Sequence, residues 1–238
     1  MFYWLGGPAC GGGQARLSKA GLPPGRGKNR AGRRLRMISD DPTSMIELNP
    51  SDRFAAGYHR ECFVDPRDEM LCIKIPFGRG ELENRREVRY YRHLMRRKIR
   101  WDLLPRFHGH VRTNLGIGSV FDLVRDYDGT ISRPLDGYLR GELDESELAS
   151  LRDSLDSLRD YLIEERIITR TIKAKNILYN RVDREDRRLV IIDNIGNTDF
   201  IPFCTHIGFL AARKIIRKWR RFERDLRLPG RDGGAREP

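Results

Sequence analysis

Four polar residues have the types and the order along the chain that phosphoryl transfer requires. Lys74 lies near the end of the apolar run 72–75, and Glu87 follows on a predicted helix. Asn176 directly precedes a second apolar run, and Asp193 ends the run 190–193. In phosphoryl transfer a lysine holds the nucleotide phosphates, a helix glutamate fixes that lysine, and Asn and Asp oxygens hold Mg²⁺. Lys74 alone could equally be an ordinary edge lysine in water, so the prediction rests on all four together.

The elements that must position these residues can be predicted from hydrophobic spacing. Leucines recur at intervals of three and four residues from Leu148 to Leu162, which is typical of an amphipathic helix over 144–165. We also expect strands at 61–64, 70–75, 106–112, 118–124, 176–179 and 189–192, and helices at 81–99 and 205–226. The pattern predicts an α+β protein with a small strand-rich N-terminal lobe carrying one inserted helix, and a helical C-terminal lobe.

Composition excludes several classes of protein. The chain has 238 residues, four scattered cysteines and a net charge of +12. No apolar run approaches the 18 or so residues of a membrane span, and no cysteine framework is present. We therefore expect a cytoplasmic protein with reduced thiols and no membrane span.

Two thirds of the positive charge belongs to the first 36 residues. This segment has eight basic residues, no acidic residue and nine glycines, and its charge of +8 leaves +4 for the rest. Too little apolar surface is present to offset the entropy of ordering, so we predict a disordered extension over 1–44. Two interpretations stay open: an arm that binds nucleic acid or membranes, or an inert extension translated from an upstream start, with Met37 or Met45 as the true beginning. We favour the second, followed by lobes at 45–125 and 126–230.

Several short motifs after this extension carry a resemblance to a known family. They are the runs 57–63, 72–75, 86–94, 105–109, 173–178 and 193–196. The chain from residue 45 to about 225 resembles the bacterial YrbL family, the PhoP regulatory network proteins, which have a protein-kinase-like fold. The resemblance implies that Lys74 binds phosphates, Glu87 pairs with it, and Gly57 belongs to the nucleotide loop. It also implies catalytic roles for Lys173, Asn176 and Asp193, with Asn176 and Asp193 as Mg²⁺ ligands and ATP as the nucleotide.

The sequence departs from the kinase pattern at three places. Thr171 stands where kinases carry the catalytic aspartate, and a neutral hydroxyl is a poor proton acceptor at neutral pH. Gly57 is alone where kinases have three glycines, and Asn194 replaces the phenylalanine after the metal aspartate. We therefore keep two hypotheses: an atypical phosphotransferase that binds ATP and Mg²⁺, or a non-catalytic pseudokinase-type module that binds nucleotide or a regulatory partner.

Two further patterns have ordinary explanations. Eight basic residues between 213 and 227 lie near Trp219 and Phe222, which could indicate nucleic-acid binding. We prefer the interpretation that Ile215, Ile216, Trp219 and Phe222 dock on the large lobe, with nucleic acid an improbable partner. His108 and His110 would share one face of a strand, and we expect a half-buried polar face there rather than a metal site.

Overall fold

The computed structural model describes residues 45–196, 208–226 and 228, together with the short segment Tyr3–Trp4. The predicted disordered extension over 1–44 therefore lies outside the described residues, apart from Tyr3–Trp4. These two residues form a short strand that pairs antiparallel with Ala55 and Ala56.

The N-terminal lobe is one antiparallel sheet with a single inserted helix. Its elements are β1 (Tyr3–Trp4), β2 (Arg53–Ala56), β3 (Arg60–Asp65), β4 (Asp68–Pro76), α1 (Gly80–Arg97), β5 (Phe107–Thr113) and β6 (Gly116–Asp122). The strand order is β1-β2-β3-β4-β6-β5, so the helix connects a central strand to the far edge of the sheet. The predicted strands and the predicted inserted helix are confirmed, whereas β2 was not predicted.

Alternation along β3, β4 and β6 sorts the side chains onto two faces. Phe63, Ile73 and Val120 belong to a small apolar cluster on the outer face of the sheet. Lys74 lies opposite Cys62 in the β3–β4 ladder, which places both on the face that turns toward the C-terminal lobe. This period of two brings the strand lysine to the side where a second lobe can approach.

The C-terminal lobe is built from helices and a three-stranded sheet. Its elements are β7 (Arg133–Pro134), α2 (Leu135–Tyr138), α3 (Glu145–Glu164), a 3₁₀ turn (Ala174–Asn176), β8 (Ile177–Arg181), β9 (Arg187–Ile191) and α4 (Gly208–Leu226). Helix α3 begins at a capping box: Asp144 accepts the Glu147 amide at 2.8 Å, and Glu147 accepts the Asp144 amide at 3.0 Å. The predicted leucine helix and the β8–β9 hairpin are confirmed.

One hydrophobic core joins the two lobes. Tyr91 and Leu94 of α1 belong to the same buried cluster as Leu155 and Leu158 of α3. Tyr161 of α3 also donates its hydroxyl hydrogen to the Arg100 carbonyl at 2.6 Å. The inserted helix therefore fixes the small lobe on the large one, which defines the cleft between them.

Helix α4 docks on this core with its arginines outward, whereas Lys214 is buried. Ala211, Ile215, Trp219 and Phe222 are buried in the shared cluster, while Arg213, Arg217, Arg220, Arg221 and Arg224 are exposed. Ile216, which we expected in the same contact, is 37% exposed. The docking interpretation of this helix is confirmed for three of its four apolar residues. Across the described ranges, no helix has the length and apolarity to cross a membrane.

Candidate functional site

A cleft of about 600 Å³, including the part open to solvent, lies between the sheet and the C-terminal lobe. Its walls are largely apolar and include Phe54, Phe121, Leu123, Ile131 and Leu178. The charged groups that line it are Lys74, Asp122, Lys175 and Asp193. Lys74 and Asp193, two predicted site residues that are 119 positions apart in the sequence, thus line one cavity.

Lys74 is buried at the inner end of this cleft. Its Nζ donates to the Ile192 carbonyl at 2.8 Å and lies 4.5 Å from the centre of the Phe121 ring. Both hydrogen-bond and ring partners are uncharged groups, although the lysine is only 8% exposed. The nearby carboxylate of Asp193, which lines the same cleft, compensates the buried ammonium.

Glu87 pairs with Arg60, a residue that our sequence analysis did not single out. Arg60 Nη1 donates to Glu87 Oε2 at 2.7 Å, and both side chains are at most 5% exposed. The expected pair between Lys74 and Glu87 is absent from the ion pairs of the described residues. Arg60 could have been found from its place two residues before Cys62, which puts it on the cleft-facing side of β3.

Asp193 shares the same arginine. Its Oδ1 lies 3.5 Å from Arg60 Nη1 and accepts the backbone amide of Asn194 at 2.7 Å. Burial raises the pKa of this carboxyl, but the nearby charges of Arg60 and Lys74 lower it further, so its pKa lies below the ordinary value. Asn194 adopts a left-handed conformation with φ of 62°, which turns the chain away directly after the aspartate.

Asn176 presents an unused amide beside these groups. The backbone of Asn176 is fully bonded: its N–H donates to the Lys173 carbonyl at 2.9 Å and closes the 3₁₀ turn. Its backbone carbonyl accepts the Ile192 N–H at 3.0 Å. Its side-chain Oδ1 and Nδ2 are buried without a hydrogen-bond partner among the described residues. Buried polar atoms are nearly always paired in folded proteins, so an orphaned amide here indicates a ligand position.

The loop before Asn176 contains Thr171, the residue that stands where the kinase pattern has its catalytic aspartate. Thr171 is exposed, and its Oγ1 accepts a hydrogen bond from Asn194 Nδ2 at 3.1 Å. Lys173 is also exposed and is not among the residues that line the cleft. Lys218 of α4 donates to the carbonyls of Thr169 and Arg170, the latter at 2.8 Å.

Gly57 lies in the turn between β2 and β3. Its amide donates to the Arg60 carbonyl at 2.8 Å, and the next residue, Tyr58, is 70% exposed. The turn is short and carries one glycine, as the sequence indicated. Gly57 thus shapes the turn that precedes Arg60.

Two buried thiols complete the wall of the cleft. Burial raises the pKa of Cys62 to about 11 and that of Cys72 to about 12, so both are neutral near pH 7. They act as small apolar groups in the cavity lining. Cys10 and Cys204 lie outside the described residues.

The two histidines have local partners. His108 Nε2 lies 2.6 Å from Asp122 Oδ1, and His110 Nδ1 lies 3.3 Å from Ser119 Oγ. Within the part of the chain that the structure describes, no group of three or more His, Cys, Asp or Glu side chains could hold a metal ion. The pair therefore forms a polar face, although His110 is exposed rather than half-buried.

The chemistry of the cleft bears differently on a nucleotide and on Mg²⁺. An apolar cleft lined by a lysine has the groups that a base and its phosphates require. Asn176 offers an orphaned oxygen for a metal, but Asp193 already faces the guanidinium of Arg60 at 3.5 Å. A divalent cation and this guanidinium would compete for one carboxylate, so the metal does not fit the arrangement as it stands.

The element order and the cleft define a two-lobed α+β protein. A central strand carries the lysine, the inserted helix carries the glutamate, and the aspartate follows the end of β9 by two residues. The chain belongs to the family described as PhoP regulatory network protein YrbL, whose sequence model matches residues 46–227. The predicted family and the predicted two-lobed α+β architecture are confirmed.

Two relatives and one solved structure illustrate these similarities. The YrbL proteins of Escherichia coli strain K12 and Shigella flexneri are each 39% identical over 181 residues, which is 75% of this chain and 86% of the relative. A crystal structure of Rad53 1-466 in complex with AMP-PNP is 16% identical, with a TM-score of 0.45. That match covers 60% of this chain and 38% of the Rad53 chain, and it establishes no shared activity.

Proposed function

We propose that this chain is an atypical kinase-like protein that binds ATP in its cleft and acts within the PhoP regulatory network. The observation that carries the proposal is that Lys74 and Asp193 line one apolar cleft between the lobes. The family description supports the link to the network. We place the boundary between the lobes near residue 125, in the connection between Asp122 of β6 and Arg133 of β7.

In this proposal each part of the cleft has a distinct task. The apolar walls around Phe121 and Leu178 hold the adenine, because a planar apolar ring gains from leaving water. Lys74 exchanges the neutral Ile192 carbonyl for an anionic phosphate oxygen, which adds the attraction between opposite charges to the hydrogen bond. Lys173, an exposed residue of the loop before Asn176, would contact the terminal phosphate.

Phosphoryl transfer from the bound ATP would be slow. Without a carboxylate at position 171, the acceptor hydroxyl loses general-base assistance, which contributes about 10²–10⁴-fold. Positioning and charge neutralisation supply a larger share of such rate enhancements, so loss of the base lowers the rate of transfer without abolishing it.

The second candidate function is a non-catalytic regulatory module. It is favoured by the exposed Thr171, whose Oγ1 accepts a hydrogen bond from Asn194. In this alternative the bound nucleotide stabilises one arrangement of the two lobes, and a partner protein recognises that arrangement.

The structure offers few ligand atoms for the Mg²⁺ ion that the sequence predicts. Its ligands would be Asn176 and Asp193, of which only Asn176 has an unpartnered oxygen among the described residues. We therefore base the test of function on the nucleotide.

Calorimetric titration with ATP and Mg²⁺ tests the proposal. We expect the wild type to bind ATP and Lys74→Met to bind it roughly tenfold more weakly or worse, because a hydrogen bond to a charged group contributes about 1.5–3 kcal/mol. Lys98→Asn is the matched control: it removes an exposed lysine at a left-handed position, where asparagine is tolerated. Absence of any heat and of any thermal shift with ATP would overturn the function.

Radiolabelled ATP separates the two candidates. Label transfer to an acceptor or to the protein, present in the wild type and lost in Asp193→Ala, supports the transferase. ATP binding with equal background label in both proteins supports the regulatory module.

A further inference from the structure

The floor of the cleft has a charge arrangement that an ordinary metal-assisted nucleotide site would not need. Arg60 lies between Glu87 at 2.7 Å and Asp193 at 3.5 Å, and it is 4% exposed. With Lys74 beside Asp193, two cationic side chains face two carboxylates. The floor is therefore already neutral before any ion or ligand arrives.

The backbone around Arg60 holds it in this position. Its carbonyl accepts the Gly57 amide, and the carbonyl of the preceding residue, His59, accepts the amide of Phe77 at 3.0 Å. A Cβ at Gly80, the first residue of α1, would lie 2.0 Å from the His59 carbonyl oxygen. The start of β3 and the start of α1 are thus in direct contact, which fixes the backbone from which the Arg60 side chain reaches Glu87.

Metal binding would have to displace this arginine from Asp193. The displaced guanidinium would remain buried with one carboxylate, and a divalent charge would be added beside two cations. A polyphosphate can contact Lys74 in the cleft lining, and Arg60 neutralises the Asp193 carboxylate that would otherwise repel it.

We propose that Arg60 takes the place of the divalent cation at Asp193, so that the cleft binds the polyphosphate of a nucleoside di- or triphosphate without a divalent metal. This inference rests on the proposed function, since it concerns ATP in the same cleft. Lys74 is the cation of the cleft lining that contacts the phosphates, and Arg60, buried behind the lining, neutralises Asp193. Glu87 holds Arg60 in place, which is why it does not pair with Lys74.

Calorimetric titration of the full chain with ATP, once in excess Mg²⁺ and once in excess EDTA, tests the inference. We expect the wild-type dissociation constants to agree within about threefold. In Arg60→Gln we expect binding in EDTA to weaken by roughly tenfold or more, with Mg²⁺ restoring much of it. Arg60→Lys keeps the charge and should retain binding in EDTA. Arg53→Gln, an arginine paired with Glu61 on the neighbouring strand, is the matched control.

Each outcome of the titrations supports or overturns one specific claim. A wild type that binds ATP at least about tenfold more weakly in EDTA than in Mg²⁺ overturns the inference while leaving ATP binding in place. Equal behaviour of wild type and Arg60→Gln in EDTA removes the assignment to Arg60. If Arg60→Gln fails to fold, the wild-type comparison and Arg60→Lys still decide. Failure to bind ATP in both buffers counts against the proposed function itself.

Discussion

Arg60 and Arg181 each lie between two carboxylates, at least one of which is buried. We call Arg60, Glu87 and Asp193 the cleft cluster. The connection cluster consists of Arg181 with Asp126 and Asp128 of the segment that joins the lobes. Arg181 makes two short ion pairs, 2.7 Å to Asp126 and 2.6 Å to Asp128. Arg60 makes one of 2.7 Å and a second of 3.5 Å.

The connection cluster is saturated with hydrogen bonds, and the cleft cluster is not. Asp126 Oδ1 accepts from Ser132 Oγ at 2.5 Å, from the Arg181 amide at 3.0 Å and from Asn180 Nδ2 at 3.2 Å. In the cleft cluster Glu87 Oε1 is buried without a partner among the described residues. Leaving a buried polar atom unpaired is costly, so the difference separates a cluster that stabilises the fold from one arranged for a ligand.

The largest expected effect comes from removing one carboxylate of each cluster. Asp126→Ala should lower the free energy of unfolding by roughly 3 kcal/mol, because several buried donors lose their acceptor. Asp193→Ala should cost less than half of this, because Arg60 keeps Glu87. Urea unfolding of both variants measures the two values. Equal losses would contradict the comparison.

A smaller effect is expected when the paired charges are replaced together. The double variant Arg60→Met with Glu87→Leu removes a buried ion pair in which one oxygen, Glu87 Oε1, has no hydrogen-bond partner among the described residues. We expect its free energy of unfolding either to stay within about 1 kcal/mol of the wild type or to rise. The single variant Glu87→Leu, which leaves Arg60 with only the distant Asp193, is the internal control and should be clearly less stable. A double variant as unstable as the single one would show that the cleft cluster also stabilises the fold.

The smallest expected effect is the loss of the stabilising contribution of Asp126 at low pH. Burial raises the pKa of Asp126, but hydrogen bonds from Ser132 and Arg181 lower it further, so its folded-state pKa is depressed. Its contribution is complete above the ordinary aspartate pKa of about 3.9 and is lost as the pH falls through the folded-state value.

Unfolding of Asp126→Asn and wild type at pH values from about 6 down to about 3 checks this. The difference in stability between them should shrink below about pH 4. The exposed variant Asp153→Asn should follow the wild-type slope. A constant difference across this range would contradict a depressed pKa.

Most of the fold could be predicted because it depends on local periodicity. The leucine spacing predicts a helix over 144–165, and the structure has it at Glu145–Glu164. The inserted helix and the β8–β9 hairpin follow from equally local patterns. The two-residue strand β7 was not predictable, because it exists only where Arg133 pairs with Tyr179 of β8.

The site was only partly predictable, because pairing between distant residues depends on strand register. The sequence could indicate that Lys74 and Asp193 approach each other, since both end apolar strands. It could not show that Arg60 reaches Glu87 first, 27 residues away on another element. That outcome depends on the face of β3 on which Arg60 lies, and one residue of register shift would turn the arginine outward.

Lys218 ties the shape of the loop before Asn176 to the far end of the chain. Its ammonium bridges the carbonyls of Thr169 and Arg170, although Lys218 lies 48 residues after Arg170 in the sequence. These two carbonyls therefore gain this partner only when α4 has docked on the C-terminal lobe. A chain lacking α4 would leave them without the Lys218 ammonium, so the conformation of the loop is coupled to the docking of the helix.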